Sequence, residues 1–258
     1  MKFKKGLLAI ILSIVTLFSV VGMSGCASDV GMDDGVLTIG YTLYPPMNYV
    51  DEANNFVGFD TELAEAVCEY LNLKVEFVLI DWDYKVMSLD SKEIDCIWNG
   101  MTITEELQEA ILITEPYLEN RQVIVCQASE VSKYTDQASL LTAKEVIVEA
   151  GSAGENTAEK LGVSQQALIK AGAQKDTLLE VKSSKDKVAV IDILMAQVLV
   201  GEGSVNEDLA YVDVNFELEQ FGIGFRKDDV KTMTAVQEAL NALKIDGTFA
   251  ALQAKYFG

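Results

Sequence analysis

Val36-Leu-Thr-Ile-Gly-Tyr41, then Thr61-Glu-Leu-Ala-Glu-Ala-Val-Cys-Glu-Tyr-Leu71, then Lys74-Val-Glu-Phe-Val-Leu-Ile80, is the stretch that decides how this chain folds. The outer segments are short apolar strands. Between them Leu63, Ala64, Val67, Cys68 and Leu71 recur at helical spacing. Strand, helix, strand predicts a parallel βαβ unit. The theme continues outward. Residues 95–98, 122–126 and 144–150 are strand-like, a helix opens over 155–161 after Gly151-Ser152, and the apolar run 188–192 runs from strand into helix. A strand over 221–225 precedes an amphipathic helix over 229–243, and 248–256 closes the chain as a short helix. Alternation of this kind over some 220 residues predicts an α/β architecture with mostly parallel sheets, in one large domain or two lobes.

The first 26 residues follow another logic. Lys2, Lys4 and Lys5 precede an apolar run over 6–23, the layout of a secretory signal. A run of this length also suits a permanent anchor helix. Its ending, Met23-Ser-Gly-Cys26, decides for export, because small residues stand directly before a cysteine as in the bacterial lipobox. The expected outcome is a signal peptide over 1–25, lipidation at Cys26, and a flexible Ser-, Asp- and Gly-containing tether over 26–35 that holds the folded part off the membrane.

The chain carries 20 Lys and Arg against 40 Asp and Glu, a net charge of −20, and loss of the segment bearing Lys2, Lys4 and Lys5 takes this to −23. Nucleic acid is therefore excluded as a partner. Histidine is absent, which removes Ser-His and Cys-His nucleophilic pairs and imidazole metal ligation. Cys68, Cys96 and Cys126 sit in apolar segments without metal-ligand spacing and read as buried thiols. No cofactor, no metal and no catalytic residue are expected.

Seven segments in order resemble the polar amino acid solute-binding proteins of ABC transporters, bacterial extracellular solute-binding protein family 3. They are Tyr44-Pro-Pro-Met47, Gly58-Phe-Asp-Thr-Glu-Leu-Ala64, Ile94-Asp-Cys-Ile-Trp-Asn-Gly-Met-Thr-Ile-Thr104, Glu115-Pro-Tyr117, Gly151-Ser-Ala-Gly-Glu155, Phe221-Gly-Ile-Gly-Phe-Arg-Lys227 and Lys255-Tyr-Phe-Gly258. The resemblance implies the type II periplasmic binding protein fold: two lobes joined by two crossing segments, with a ligand held between them. It places lobe 1 at 36–123 and 216–258, lobe 2 at 124–215, and the crossovers near 124–127 and 211–215. It further implies a monomeric, extracytoplasmic receptor, anchored to the membrane by lipid, whose partners are a small-molecule ligand and an ABC transporter permease.

In Gly58-Phe59-Asp60 a turn leads to Asp60, which is expected to cap a helix starting at Thr61. Asn99, Gly100, Met101 and Thr102 lie between a strand and a helix, so their backbone amides are expected to face the cleft, with the Thr102 hydroxyl added. Ser152, Ala153 and Gly154 are expected to act likewise from lobe 2. In the family these two places grip a ligand carboxylate, and an aromatic in the Pro-Pro loop covers the ligand side chain. The matching residue is Tyr44, or Tyr41 because the loop looks one residue short. Asp192 ends an apolar strand, where the family has an Asp that pairs with a ligand ammonium. A salt bridge to Lys185 or Lys187 is the other reading.

The resemblance breaks at one place that matters. The family's Thr-x-x-Arg reads Thr104-Glu105-Glu106-Leu107 here, so Leu107 stands where an arginine grips the α-carboxylate. Ala153 replaces a hydroxyl residue on the same side. The chain's two arginines, Arg121 and Arg226, match positions outside the cleft, leaving Lys85 as the nearest substitute. Asp81, Trp82, Asp83 and Trp98 add acidic and aromatic groups suited to a cation, although Trp98 also suits the core. The expected ligand is a small amine or nitrogen heterocycle without an α-carboxylate, or an unusual amino acid in a rewired site. Two alternatives share the fold: an enzyme of the cyclohexadienyl dehydratase type using Glu155 or Asp192 as acid or base, and a sensor working with a signalling protein.

Overall fold

The structure is a computed structural model that describes residues 31–258. The expected signal peptide, Cys26 and the first part of the tether lie outside the described residues; the tether's end, Gly31–Asp34, forms a single 3-10 turn.

The deciding stretch folds as read. β1 (Val36–Tyr41) is followed by a small hairpin, β2 (Tyr49–Val50) and β3 (Phe56–Val57), then α1 (Phe59–Leu71) and β4 (Lys74–Leu79). β1 and β4 pair in parallel from Val36 opposite Lys74 to Tyr41 opposite Leu79. α1 buries Leu63, Ala64, Val67 and Cys68, the stripe its spacing defined. Then come α2 (Lys85–Asp90), β5 (Cys96–Thr102), α3 (Glu105–Ala110), β6 (Leu112–Ile113) and β7 (Leu118–Asn120). The middle of the chain forms β8 (Gln122–Gln127), β9 (Glu145–Glu149), α4 (Ala153–Lys160), β10 (Leu168–Ala171), α5 (Thr177–Ser183), β11 (Lys187–Asp192), α6 (Ile193–Leu199) and β12 (Leu209–Val212). β13 (Glu219–Phe225), α7 (Val230–Asp246) and α8 (Thr248–Phe257) finish it.

Two large sheets result, one per lobe, beside the two-stranded β2–β3 hairpin. The first has the order β4-β1-β5-β13-β6 with β7 also on β13, and the second β10-β9-β11-β8-β12. Each is mixed rather than mostly parallel as expected: β4, β1 and β5 run together, as do β10, β9 and β11, while β13 and β8 oppose their neighbours. The opposed strands are those that enter from the other lobe. Both faces of each sheet are covered, which is why the strands read as near-continuous apolar runs. In β8, for example, Val123 and Val125 join one cluster and Ile124 and Cys126 another.

Strand pairing shifts the expected crossovers. Gln122 and Val123 already pair with Asp192 and Ile191 of the second sheet, so the chain changes sheet at Arg121, ahead of the expected 124–127. On the return, β12 is still paired with β8, and Val214 and Phe216 pack in the second lobe's core, so the crossing occupies the residues just before Glu219 rather than 211–215. Apolar alternation cannot show which sheet a strand joins, which is why the offset was invisible. Arg121, at the first crossing, reaches Asp213 at 3.2 Å and Asn215 at 3.4 Å, on the segment that leads into the second. The closing Lys255-Tyr256 motif returns to lobe 1, with Lys255 on both oxygens of Glu62 and the Tyr256 hydroxyl accepting from the Gly58 amide.

Candidate ligand-binding site

The parallel strands of both sheets aim their carboxyl ends at one cleft, the place where open α/β sheets leave backbone groups and loops free for a ligand. It encloses a cavity of about 430 Å³. Ten of the residues expected there line it: Tyr44, Trp82, Asn99, Gly100, Met101, Thr102, Leu107, Ser152, Ala153 and Asp192. Gly154 does not. It faces β11, where a Cβ would come within 2.5 Å of the Val190 carbonyl oxygen, so its role is close packing of helix on strand. Of the two tyrosines, Tyr44 reaches the cavity, whereas Tyr41 packs against Phe56 and Phe77 outside it.

Several side chains are committed to the wall rather than to its interior. α1 starts at Phe59, two residues earlier than expected, and Asp60 is not its cap but a fully buried carboxyl. It accepts from the Gly100 amide at 2.7 Å and the Tyr117 hydroxyl at 2.9 Å, and the Trp98 indole faces it. Burial lifts its pKa to about 7 against the pull of these donors. The Gly100 amide therefore points into lobe 1, not at the cleft as expected. Residues 99–102 are not a loop but the end of β5, distorted where β13 shifts register between Gly222 and Gly224. Gly100 takes φ +57° there, with the Tyr44 ring so close that a Cβ would lie 2.6 Å from it. Asn99 is likewise occupied, holding Thr42 and Asn48 and so the loop that carries Tyr44. Trp98 is 0% exposed and belongs to the core.

From lobe 2, Ser152 and Glu155 form a capping box at the head of α4. Ser152 Oγ accepts from the Glu155 amide at 3.1 Å, and the Glu155 carboxylate accepts from the Gly151 amide at 2.8 Å. Glu155 also pairs with Lys170. The Ala153 and Gly154 amides, first in the helix, have no partner within it.

Asp192 is the electrostatic centre. It is 5% exposed, and all its hydrogen-bond donors are neutral amides: Asn120, Gln122 at 2.9 Å and Gln174 at 2.5 Å. The Tyr44 hydroxyl, reaching across the cleft, faces it as well. The alternative of a lysine salt bridge fails, because Lys187 sits at the other end of β11 on Glu145 and Glu180, and Lys185 is exposed. Burial raises the Asp192 pKa, opposed by these amides. Glu219, at the start of β13, accepts from the same Asn120 and Gln122 amides and from Thr102, and burial plus the Asp192 charge lift it to about 7. Glu149, at the end of β9, is lifted to about 8 by burial and by Asp192.

The cavity wall thus holds Asp83, Glu106, Glu149, Glu155 and Asp192 against Lys85 and Lys170. Arg226 is buried away from it on Asp95 and Asp229, and Arg121 lies at the crossings. Lys85, the expected substitute for an arginine, is already engaged. Its ammonium bonds the carbonyls of Trp82 at 3.1 Å and Gly151 at 2.8 Å and lies over the Trp82 ring, bridging the lobes. Burial lowers its pKa, and Glu149 leads the carboxylates that oppose this. Leu107 presents an apolar, half-buried side chain at the rim. Sequence reasoning missed Glu149, Gln174 and Glu219. Glu149 carried the same signal as Asp192, a carboxylate ending an apolar strand, whereas Gln174 and Glu219 carried none.

A polar cleft closed between two sheets and bridged by two crossings defines a two-lobed solute-binding protein. The sequence profile of the bacterial extracellular solute-binding proteins, family 3, matches residues 37–258, and the chain belongs to that family. The lysine/arginine/ornithine-binding periplasmic protein of Escherichia coli is 28% identical over 95% of this chain and 96% of its own. A crystal structure of an ABC uptake transporter substrate-binding protein from Streptococcus pneumoniae with bound histidine aligns with a TM-score of 0.79 and 30% identity over 87% of this chain and 93% of that one. An ancestral amino acid-binding protein, a precursor of cyclohexadienyl dehydratase, aligns with a TM-score of 0.79 and 27% identity over 88% of this chain and 97% of that one. The family and these relatives are binding proteins rather than enzymes, and this chain is a solute-binding receptor of the kind that serves ABC importers outside the cytoplasm.

Proposed function

We propose that this receptor captures a small organic cation without an α-carboxylate, an amine or a protonated nitrogen heterocycle, and delivers it to an ABC importer while tethered to the membrane by lipid on Cys26. One observation carries the ligand class: a carboxylate, Asp192, is buried with only neutral donors around it while the opposite wall presents Leu107 where the family grips a carboxylate. A buried charge of this kind is costly until a cation meets it, and the ligand is the natural cation. A zwitterionic amino acid would gain the same contact but bring a carboxylate to a wall of acidic groups, with Lys85 already bonded to carbonyls.

The relatives named above bind amino acids, several of them cationic, and Lys85 does reach the cavity, so an amino acid held through a displaced Lys85 is the second reading. A thermal-shift screen over amino acids, amines and nucleobases separates the two. Shifts from amines support the proposal, and a shift from standard amino acids alone, or from the neutral nucleobases alone, overturns it. Lipidation is tested by metabolic labelling with palmitate, which Cys26→Ser should abolish.

A further inference from the structure

Glu149 ends β9 as Asp192 ends the adjacent parallel strand β11, and the two carboxylates raise each other's cost of ionisation. Gln174 stands between them, its backbone amide toward Glu149 and its side chain on Asp192. Glu149 is 4% exposed, lines the cavity, and its Oε1 has no hydrogen-bond partner. Lys85, which faces it, directs its ammonium to the Trp82 and Gly151 carbonyls. A buried, unpartnered carboxylate oxygen at a cavity wall is a group that a ligand is shaped to satisfy.

We infer that Glu149 is a second anionic anchor, and that the ligand's charged end is a cation rich in N–H groups, a primary ammonium, amidinium or guanidinium, which divides its donors between Asp192 and Glu149. The inference rests on the organic-cation reading above and narrows it. A quaternary ammonium has no N–H and would leave the Glu149 oxygen buried and unsatisfied, so charge alone does not complete the site.

Titration calorimetry on the full chain in detergent tests it, with agmatine, choline and L-alanine as probes. The expected result is that agmatine binds at least tenfold more tightly than choline. In Glu149→Gln, agmatine should weaken at least tenfold while choline changes little, with a cooperative ligand-free melting transition no lower than the parent protein's showing that the fold is intact. Glu149→Leu provides the same comparison should the glutamine variant fold poorly. If agmatine binds these variants as it binds the parent protein, but not Asp192→Asn, the second anchor is refuted and the cation receptor stands. If agmatine does not bind the parent protein at all, or only L-alanine does, the cation reading itself falls and this inference with it.

Discussion

Leu107 stands at the position that the resemblance matches to the family's arginine, and the nearby cations already have partners: Arg226 is held by Asp95 and Asp229, Arg121 by Asp213, and Lys85 by two carbonyls. Leu107 lines the cavity within one turn of Thr104, whose hydroxyl caps α3, so a longer cationic side chain there would enter the cleft. Leu107→Arg should therefore improve binding of ordinary amino acids by about tenfold or more, the worth of a charge-assisted pair in a closed site, as read by calorimetry. Unchanged affinity would mean that the carboxylate side has been rebuilt elsewhere. That Leu107 and Asp192 line the cavity is legible from motif position alone. Asp60 was misread, because the same residue type caps a helix or props a strand according to what packs above it, and that is fixed by Gly100 forty residues away.

At the scale of elements, the end of β5 is the part that shapes the ligand wall. Its register shift against β13 puts Gly100 in a left-handed conformation beneath Tyr44. Gly100→Ala should destabilise the protein by about 1–3 kcal/mol, combining backbone strain with displacement of the ring, and should weaken ligand binding together with thermal stability. The longer strands and helices were readable from periodicity because each buries its apolar residues with a fixed period, 2 or 3.6, whereas strands of two to four residues such as β6 and β10 are too short to show one. α2 and α5 were not, since six or seven residues hold too few turns to establish a stripe and no motif marks either one.

For the whole molecule, buried carboxyls set the response to pH. Asp60 and Glu219 titrate at about 7 and Glu149 at about 8, well above the unfolded carboxyl value of about 4. Between those limits the folded state holds more protons than the unfolded chain, so stability is full at low pH and is lost as pH rises through 7 to 8. The melting temperature of the ligand-free protein should fall between pH 5 and pH 8.5, and Glu149→Gln should flatten that slope. Closure depends on contacts across the cleft, among them the Lys85 bond to Gly151. Lys85→Met should enlarge the ligand-free radius of gyration in small-angle scattering and reduce ligand affinity several-fold, because a smaller fraction of molecules is closed.

The sequence by itself determined the βαβ start, the alternation of elements and the family, all of which are written in local periodicity or in short motifs. Only the tertiary structure decided which sheet Gln122 and Val123 join, where the Gly100 amide points, and that Glu149, Gln174 and Asp192 meet at one wall. Those facts depend on strand order and on burial by distant segments, and a carboxylate becomes a ligand anchor only when the fold has removed its water and left it no cation.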